Sequence, residues 1–311
     1  MTTGEPAVAF RDVYRHFGEH EVLRGLSFAV RRGEIHALLG RNGCGKTTAL
    51  RVLLGFLSPH RGRSEILGVG SDALTPADRG RVGYVTEGHQ LYPGMRVREV
   101  LSFEAATRPR FRLDLAERAV QRCALPRQTP VIKLSRGQRA QLSLIVAVAA
   151  QPEVLVCDDP AMGLDVVMRR ELLDVMIELL SERGISVLFS SHILTDVERI
   201  ADRVSILHEG RLIVDAAVDD LKQRVRKRSW RPSNGATAPP SLPGLLRARR
   251  TGEGYDLTLV SDELDDGALR QLGGVLGEPV VPTLEDLFLD VTTNPADGGI
   301  LSRATDAEVS A

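Results

Sequence analysis

A glycine-rich segment between an apolar run and a helical run constrains the fold more than any other feature. The run "EIHALLG" ends at Gly40 and resembles a buried strand, and "KTTALRVLLGFL" begins at Lys46 with helical spacing. Gly40, Gly45, Lys46 and Thr47 match the pattern G-x-x-x-x-G-K-T. A strand, a glycine-rich turn and a helix in this order predict a loop that wraps a phosphate group.

Each residue type of this loop has a physical reason to bind a nucleoside triphosphate. Glycines let the backbone curl until several N–H groups face one anion, and the following helix adds the positive end of its dipole. Lys46 can reach the terminal phosphates, and Thr47 can offer its hydroxyl to Mg²⁺. The predicted binding residues are Gly40, Arg41, Asn42, Gly43, Cys44, Gly45, Lys46, Thr47 and Thr48. A dinucleotide site is excluded because the pattern G-x-G-x-x-G is incomplete, and the remaining alternative is a glycine turn without function.

Composition places the chain among ordinary globular proteins. It has 311 residues, of which 43% are hydrophobic and 26% are charged, and its formal net charge is -1. We therefore expect a core of normal size and no general attraction to nucleic acid. Cys44, Cys123 and Cys157 lack C-x-x-C spacing, which argues against a disulfide framework or a zinc site and fits a reducing cytosol. We expect neither a signal peptide nor a membrane-spanning run.

Strand and helix patterns alternate as far as residue 224. "VLVCD" and "ISVLFSS" are further buried-strand runs, and residues 166–183 between them have the spacing of an amphipathic helix that stops at Gly184. "RVSILHEGRLIVD" predicts a hairpin that turns at Glu209 and Gly210. Buried strands separated by helices predict an α/β fold with a mainly parallel sheet.

Shifts in composition divide the rest of the chain. Residues 225–243 are basic and then rich in Pro, Ser, Gly and Ala, which predicts a linker. Residues 244–292 show ordered patterns again and predict a small α+β domain. Its expected elements are a hairpin and two short helices, over 245–260, 261–272 and 283–289. We expect residues 293–311 to form a disordered tail.

The segment "KLSRGQRAQLSL" narrows the class of nucleotide-binding protein to which the phosphate loop can belong. Ser135 is a helix-capping residue type that precedes a helical run, so it predicts a second exposed helix N-terminus that suits an anion, although alone it would be a simple N-cap. Together with "GRNGCGKTT", "GYVTE", "VLVCDDP", "GLD" and "SSH", in this order, it resembles the nucleotide-binding subunit of ATP-binding cassette (ABC) transporters. The resemblance covers residues 7 to about 220. "LSRGQ" differs from the family signature LSGGQ only at Arg136.

The resemblance implies a P-loop ABC-type ATPase domain over residues 7–224, with a parallel sheet core, an antiparallel β subdomain and a helical insertion at about 88–150. It implies ATP and Mg²⁺ as ligands. It also implies a head-to-tail dimer with a second copy or a homologous subunit, in which the phosphate loop faces the partner's signature residues Ser135, Gly137 and Gln138. Closing and opening of this dimer would drive an integral membrane permease, so we expect a cytoplasmic protein at the inner face of the membrane and no nucleic acid partner.

Four further positions gain roles from the resemblance. Phe17 corresponds to an aromatic ring that stacks on adenine, the alternative being a core residue of the first sheet. Asp158 corresponds to a carboxylate that holds Mg²⁺ through water. His192 corresponds to a switch histidine that contacts the γ-phosphate, and Asp165 to a dimer contact or a plain N-cap.

Two positions depart from the family pattern. Asp159 stands where the family has the glutamate that polarises the attacking water, and its side chain is shorter by roughly 1.5 Å. Glu87 stands where the family has glutamine, and a carboxylate only accepts hydrogen bonds. We hypothesise a compensated pair in which Glu87 binds Mg²⁺ or helps to order the water; alternatively Glu87 faces solvent. Gln90, three residues further on, is a weaker candidate for the role of the family's glutamine.

Residues Gly88 to Leu101 correspond to the surface that receives the permease. Leu91, Tyr92, Pro93 and Met95 are apolar enough for a docking patch and equally for local core. "TLEDLFLDVT" near the end resembles the closing segment of ABC-2 type exporters and favours export. The alternatives are a soluble non-transport ABC ATPase, a P-loop kinase, which has no use for "LSRGQ", and a slow or non-hydrolysing regulatory subunit.

Overall fold

The computed structural model describes residues 5–181, 184–233, 244–252, 254–260 and 274–293. Within these residues the strands form three sheets. The central sheet has the order β10-β9-β3-β8-β7-β6. Its strands are β3 (Ile35–Leu39), β6 (Val82–Val85), β7 (Val154–Asp158), β8 (Ser186–Ser191), β9 (Arg203–His208) and β10 (Arg211–Ala217). Five of them run parallel, and β10 is antiparallel to β9, as the predicted hairpin requires.

One face of this sheet packs against the helices Arg136–Ala149, Val166–Ser181 and Leu194–Ile200, and the other packs against the second sheet and the helix Lys46–Leu53. The second sheet is antiparallel, with β1 (Val8–Phe17), β2 (His20–Val30), β4 (Arg61–Ile66) and β5 (Val69–Gly70) in the order β2-β1-β4-β5. Neighbouring residues of the central strands enter two different cores, as Leu155 and Val156 do. This alternation explains why the parallel strands are apolar throughout their length.

The helices of the first three quarters of the chain connect the strands or form the insertion. They are α1 (Lys46–Leu53), α2 (Pro76–Arg79), α3 (Val97–Thr107), α4 (Leu113–Arg122), a short 3₁₀ turn (Val131–Lys133), α5 (Arg136–Ala149), α6 (Val166–Ser181), α7 (Leu194–Ile200) and α8 (Val218–Arg224). Helices α3, α4 and α5 share a core of their own, which contains Val100, Val120 and Leu142. The insertion is thus a separate small core attached to the sheet through α5.

The predicted linker at 225–243 is wrong for its first part, because residues 225–232 form a strand. The third sheet has the order β12-β13-β11-β14, with β11 (Val225–Pro232), β12 (Leu245–Thr251), β13 (Gly254–Val260) and β14 (Gly274–Leu276). The composition misled the prediction because the charges of β11 have partners: Lys227 pairs with Asp286, while Trp230 is buried.

The other expectations for this region have different outcomes. The hairpin predicted over 245–260 is confirmed by the pairing of β12 with β13. The helix predicted over 283–289 is present as α9 (Leu284–Thr293). The helix predicted over 261–272 and the tail beyond Thr293 lie outside the described residues.

Candidate functional site

The phosphate loop connects the end of β3 to the start of α1. Gly40 must be glycine, because an added Cβ would lie 2.5 Å from the carbonyl oxygen of Leu207 on the neighbouring strand. Gly45 has a φ of 113°, which disfavours any side chain, and an added Cβ would meet Leu23 and Val22 of β2. Neighbouring strands therefore fix this loop on both sides.

Lys46 lies inside the concavity of the loop. Its side chain is buried, and Nζ donates to the carbonyl oxygens of Gly40 at 2.7 Å and Arg41 at 3.3 Å. Backbone carbonyls carry only partial charge, so they leave most of the ammonium charge uncompensated. An anion held by the loop N–H groups would complete this environment.

A hydroxyl–carboxylate cluster adjoins the loop. Asp158 ends β7 and is buried, and its Oδ1 accepts hydrogen bonds from Thr47 Oγ1 at 3.0 Å and from Ser190 Oγ at 2.9 Å. The parallel register of β7 and β8 pairs Asp158 with Ser190. A hydroxyl and a carboxylate side by side are oxygen donors of the kind that Mg²⁺ takes from proteins, with phosphates and water completing its shell. Thr47 and Asp158 therefore fit this ion.

Asp159 turns away from Asp158 and toward His192. Its φ is 43°, an uncommon backbone conformation for a residue other than glycine, and its N–H donates to Ser190 Oγ at 2.9 Å. Its Oδ2 lies 2.6 Å from Nδ1 of His192. Because a carboxylate only accepts, Nδ1 carries the proton of this bond. The second oxygen, Oδ1, is buried and lacks a hydrogen-bond partner among the described residues.

Glu87 lies outside this hydrogen-bonded cluster. It is exposed in the loop after β6, and within the described chain no hydrogen bond or ion pair joins it to Thr47, Asp158 or Asp159. Its charge nevertheless acts on Tyr84: burial, Asp158 and, more weakly, Glu87 raise the pKa of that phenol. Glu87 thus acts on Tyr84 without a hydrogen bond or ion pair to Asp158 among the described contacts.

The predicted second anion element, at the start of α5, has the expected cap. Ser135 Oγ accepts from the N–H of Gln138 at 3.1 Å, and Gln138 Oε1 accepts from the N–H of Ser135 at 3.0 Å. Gly137 packs on α6, since an added Cβ would lie 2.8 Å from Met168 Cε. Asp165 caps α6 through Met168 N–H, as one of the two interpretations predicts.

Phe17 and the docking segment are both at the surface. Phe17 ends β1 and is 46% exposed, so it is not the core residue of the alternative interpretation, and the Arg15 guanidinium carbon lies 4.8 Å from its ring centroid. In the docking segment, Leu91 and Met95 pack partly against the insertion core. Tyr92 is exposed and meets the Phe103 ring edge-on.

The sequence prediction missed three residues around the site. Ser190 connects Asp158 with Asp159, and Arg169 and Asp196 face each other behind His192. For Ser190 a signal was present, since a serine ends a buried strand beside "SSH". For Arg169 and Asp196 no local sequence pattern exists, because each is the kind of charged residue that is common on the surface of a helix.

Comparison with known proteins decides the family. A family model described as ABC transporter matches residues 23–162. The bacitracin transport ATP-binding protein BcrA of Bacillus licheniformis is 33% identical over 218 residues, which cover 70% of this chain and 71% of that protein. An ABC transporter ATP-binding protein of Methanocaldococcus jannaschii is 31% identical over 92% of this chain and 99% of its own length. The chain belongs to the ABC transporter ATP-binding subunits.

Solved structures agree with this ABC assignment. The structure of an ATP-binding subunit of an ABC transporter is 28% identical, with a TM-score of 0.62, over 70% of this chain and 92% of its own. A bacterial Atm1-family ABC exporter with ATP bound is 25% identical, with a TM-score of 0.61, over 72% of this chain and 40% of its own. The predicted α/β ABC-type fold is therefore confirmed. Among the described helices, none is both long and apolar enough to cross a membrane.

Proposed function

We propose that this ABC subunit binds MgATP at the phosphate loop and hydrolyses it between two head-to-tail subunits, and that this cycle powers a membrane exporter. One observation carries the proposal. An unbroken hydrogen-bonded chain runs from Thr47 through Asp158, Ser190 and Asp159 to His192. The chain joins the phosphate-binding helix to the two groups that hydrolysis requires, a carboxylate and a proton-carrying ring.

The proposed chemistry assigns each end of this chain a role. Lys46 would leave its carbonyl partners for the terminal phosphates, and Thr47 and Asp158 would hold Mg²⁺, which would supply neutralisation of charge on the transferring phosphoryl group. A shift of the turn that carries Asp159 would bring its unpartnered Oδ1, buried in the chain alone, to the attacking water, whose hydrogen bond it would accept. His192 keeps Asp159 oriented through Nδ1 and presents its other nitrogen to the phosphate.

The dimer is supported by the surface beside the site. Met162, Val166 and Val167, which flank Asp165, are exposed apolar side chains. Contiguous exposed apolar residues mark interaction surfaces. The capped start of α5 is exposed on the same side of α6, where it can face the phosphate loop of a second copy.

Export is supported by the relatives. A Nod factor export ATP-binding protein of Burkholderia lata is 34% identical over 68% of this chain and 70% of its own length. We propose that a permease docks near Gly88–Leu101 and that the subunit works at the inner face of the membrane. Co-purification of the chain with a membrane protein that contacts Tyr92 tests this part, and binding to ribosomes or DNA instead would contradict it.

A slow regulatory subunit is the second candidate function. It is favoured by Asp159, whose short side chain is already bonded to His192, so its reach toward a water is limited. Misplacement by about 1 Å can cost on the order of a hundredfold in rate. The two functions differ in turnover and not in ATP binding.

The first test measures MgATP binding and hydrolysis for the wild type, Lys46→Ala and Asp159→Asn. We expect Lys46→Ala to lose binding, since the only side-chain cation in the loop's concavity among the described residues is removed. We expect Asp159→Asn to retain binding, to lower kcat at least about a hundredfold and to form a dimer that ATP stabilises in size-exclusion chromatography. Wild-type turnover no faster than Asp159→Asn would favour the regulatory subunit, and a wild type that binds no ATP would refute both.

A further inference from the structure

An arginine and an aspartate face each other behind Asp159 and His192. Asp196 lies in the first turn of α7, four residues after His192, and is 7% exposed. Arg169 lies in α6, four residues after Asp165, and its side chain is 24% exposed. Arg169 Nε is 3.7 Å from Asp196 Oδ2. This ion pair connects the two helices that begin at the dimer surface and at the switch histidine.

The contact is incomplete as a hydrogen bond. Both atoms are buried, and neither has a hydrogen-bond partner within the described part of the chain. A distance of 3.7 Å exceeds the range of a hydrogen bond, and leaving these two buried polar atoms unpartnered is costly. A movement of less than about 1 Å would form a charge-assisted hydrogen bond, so the pair gains stability by closing.

A second nitrogen of the Arg169 guanidinium contacts the turn that carries the proposed dimer surface. Arg169 Nη2 donates to the carbonyl oxygen of Leu164 at 3.2 Å. Leu164 is in the "GLD" turn, between exposed Met162 and Asp165. A displacement of this turn therefore reaches the guanidinium directly through one hydrogen bond.

Asp196 in turn interacts with both catalytic groups. Burial raises the pKa of Asp196, the charge of Arg169 lowers it, that of Asp159 raises it, and those of His192 and Arg199 lower it. The carboxylate thus lies close enough to Asp159 and His192 for their charges to act on it. Because Asp196 is one turn after His192, its position also fixes the start of α7.

We propose that Arg169 and Asp196 are positioning residues that transmit dimer closure from the "GLD" turn to His192 and hence to Asp159. When a second subunit presses on the turn, Arg169 follows the Leu164 carbonyl and closes on Asp196. The new hydrogen bond fixes the start of α7 and holds the imidazole against Asp159. The inference rests on the proposed ATPase function and adds a mechanical connection to it.

The experiment compares Arg169→Gln and Asp196→Asn with the wild type in steady-state ATPase assays of the full chain. We expect kcat to fall on the order of tenfold to a hundredfold while KM for MgATP is unchanged, because the phosphate loop is untouched. Arg169→Lys should recover part of the lost kcat. Lysine keeps the positive charge, but its single nitrogen cannot replace the two guanidinium nitrogens that face Leu164 and Asp196. In a His192→Ala background, Arg169→Gln should cause no further loss.

The same two helices offer a matched control. Arg199 on α7 also pairs with Asp174 on α6, and the side chains of this pair are more exposed than those of Arg169 and Asp196. Asp174→Asn breaks this pair and should leave kcat unchanged. Thermal unfolding of every variant verifies folding, and if Arg169→Gln does not fold, Asp196→Asn and Arg169→Lys are measured in the same cycle.

Several results would overturn the inference. If Asp174→Asn lowers kcat as much as Arg169→Gln does, the pair of Arg169 and Asp196 only holds the two helices together. Additive losses from Arg169→Gln and His192→Ala would mean that the pair does not act through His192. If the wild type hydrolyses ATP and Arg169→Gln has the same kcat, this inference alone is refuted. If the wild type shows no turnover, the proposed function is refuted as well.

Discussion

Asp159 differs from its neighbour Asp158 in backbone conformation as much as in side-chain contacts. Asp158 ends a regular strand, whereas Asp159 has positive φ and is held through its N–H by Ser190. The turn after β7 therefore aims the shorter carboxylate at His192. The side chain of Asp159 is one methylene shorter than the glutamate of the family pattern. It reaches His192 with Oδ2, so that only the buried Oδ1 remains for a water.

The compensation hypothesis for Glu87 and Asp159 predicts coupled effects. We expect Asp159→Glu and Glu87→Gln each to lower kcat, because the first lengthens a side chain whose carboxylate is already placed against His192 and the second removes a carboxylate. The double variant should recover much of the loss, with an interaction free energy of about 0.5–3 kcal/mol. ATPase kinetics of the four proteins measures this energy, and simple additivity would contradict the hypothesis.

At the level of single residues, the sequence predicted what is contiguous in the chain. The phosphate loop is legible because its strand, turn and helix are consecutive. Ser190 could be inferred only with the register of β7 and β8, which pairs it with Asp158 across 32 residues. Arg169 and Asp196 depend on how α6 packs on α7, and no periodicity encodes that contact.

Helix α5 combines a structural cap with an exposed N-terminus, and these two roles can be separated by mutation. Ser135→Ala removes the hydroxyl that accepts from Gln138 N–H and should cost about 1 kcal/mol of unfolding free energy. Ser135→Asp keeps a capping acceptor and should retain stability, but its charge would repel the partner's ATP and lower kcat. Chemical denaturation and ATPase assays measure the two effects.

Helix α2 supplies the control for this prediction. Thr75 caps it with the same reciprocal box, accepting from Asp78 N–H at 3.3 Å. Thr75→Ala should lower stability without changing kcat, because α2 contributes nothing to the described site. Normal ATPase activity in Ser135→Asp would contradict a role of α5 at the partner's nucleotide.

Among the elements, periodicity and turn residues sufficed for most of the central sheet. The hairpin at Glu209 and Gly210 and the buried strands follow from local patterns. The sequence predicts a linker where β11 lies, because a run of basic residues is typical of a solvated segment. The stability of β11 comes from partners far along the chain, such as Asp286 for Lys227 at 2.6 Å.

On the scale of the whole molecule, the C-terminal region shares its core with the ATPase domain. Leu284, Leu287 and Val291 of α9 belong to the same buried cluster as Val197 and Ile200 of α7. The N–H of Leu284 also donates to Glu198 on α7 at 2.6 Å. Helix α7, which follows His192, therefore lies between the candidate site and α9.

The shared core predicts that this region does not unfold separately. Leu287 is 2% exposed, so Leu287→Ala should cost about 2–5 kcal/mol and shift a single cooperative transition. Leu289, on the same helix, is 53% exposed, and Leu289→Ala should change stability by no more than about 0.5 kcal/mol. Calorimetry distinguishes the outcomes, and a separate transition that Leu287→Ala alone affects would show an independent domain.

The position of α9 on α7 also has a consequence for synthesis. The hydrogen bond that joins them spans 86 residues of sequence, and a chain emerges from the ribosome in order. Helix α7 is translated long before the α9 residues that share its core. We therefore expect a nascent chain that has reached residue 280 to leave Val197 and Ile200 more exposed, and to bury them fully only after Val291 has emerged.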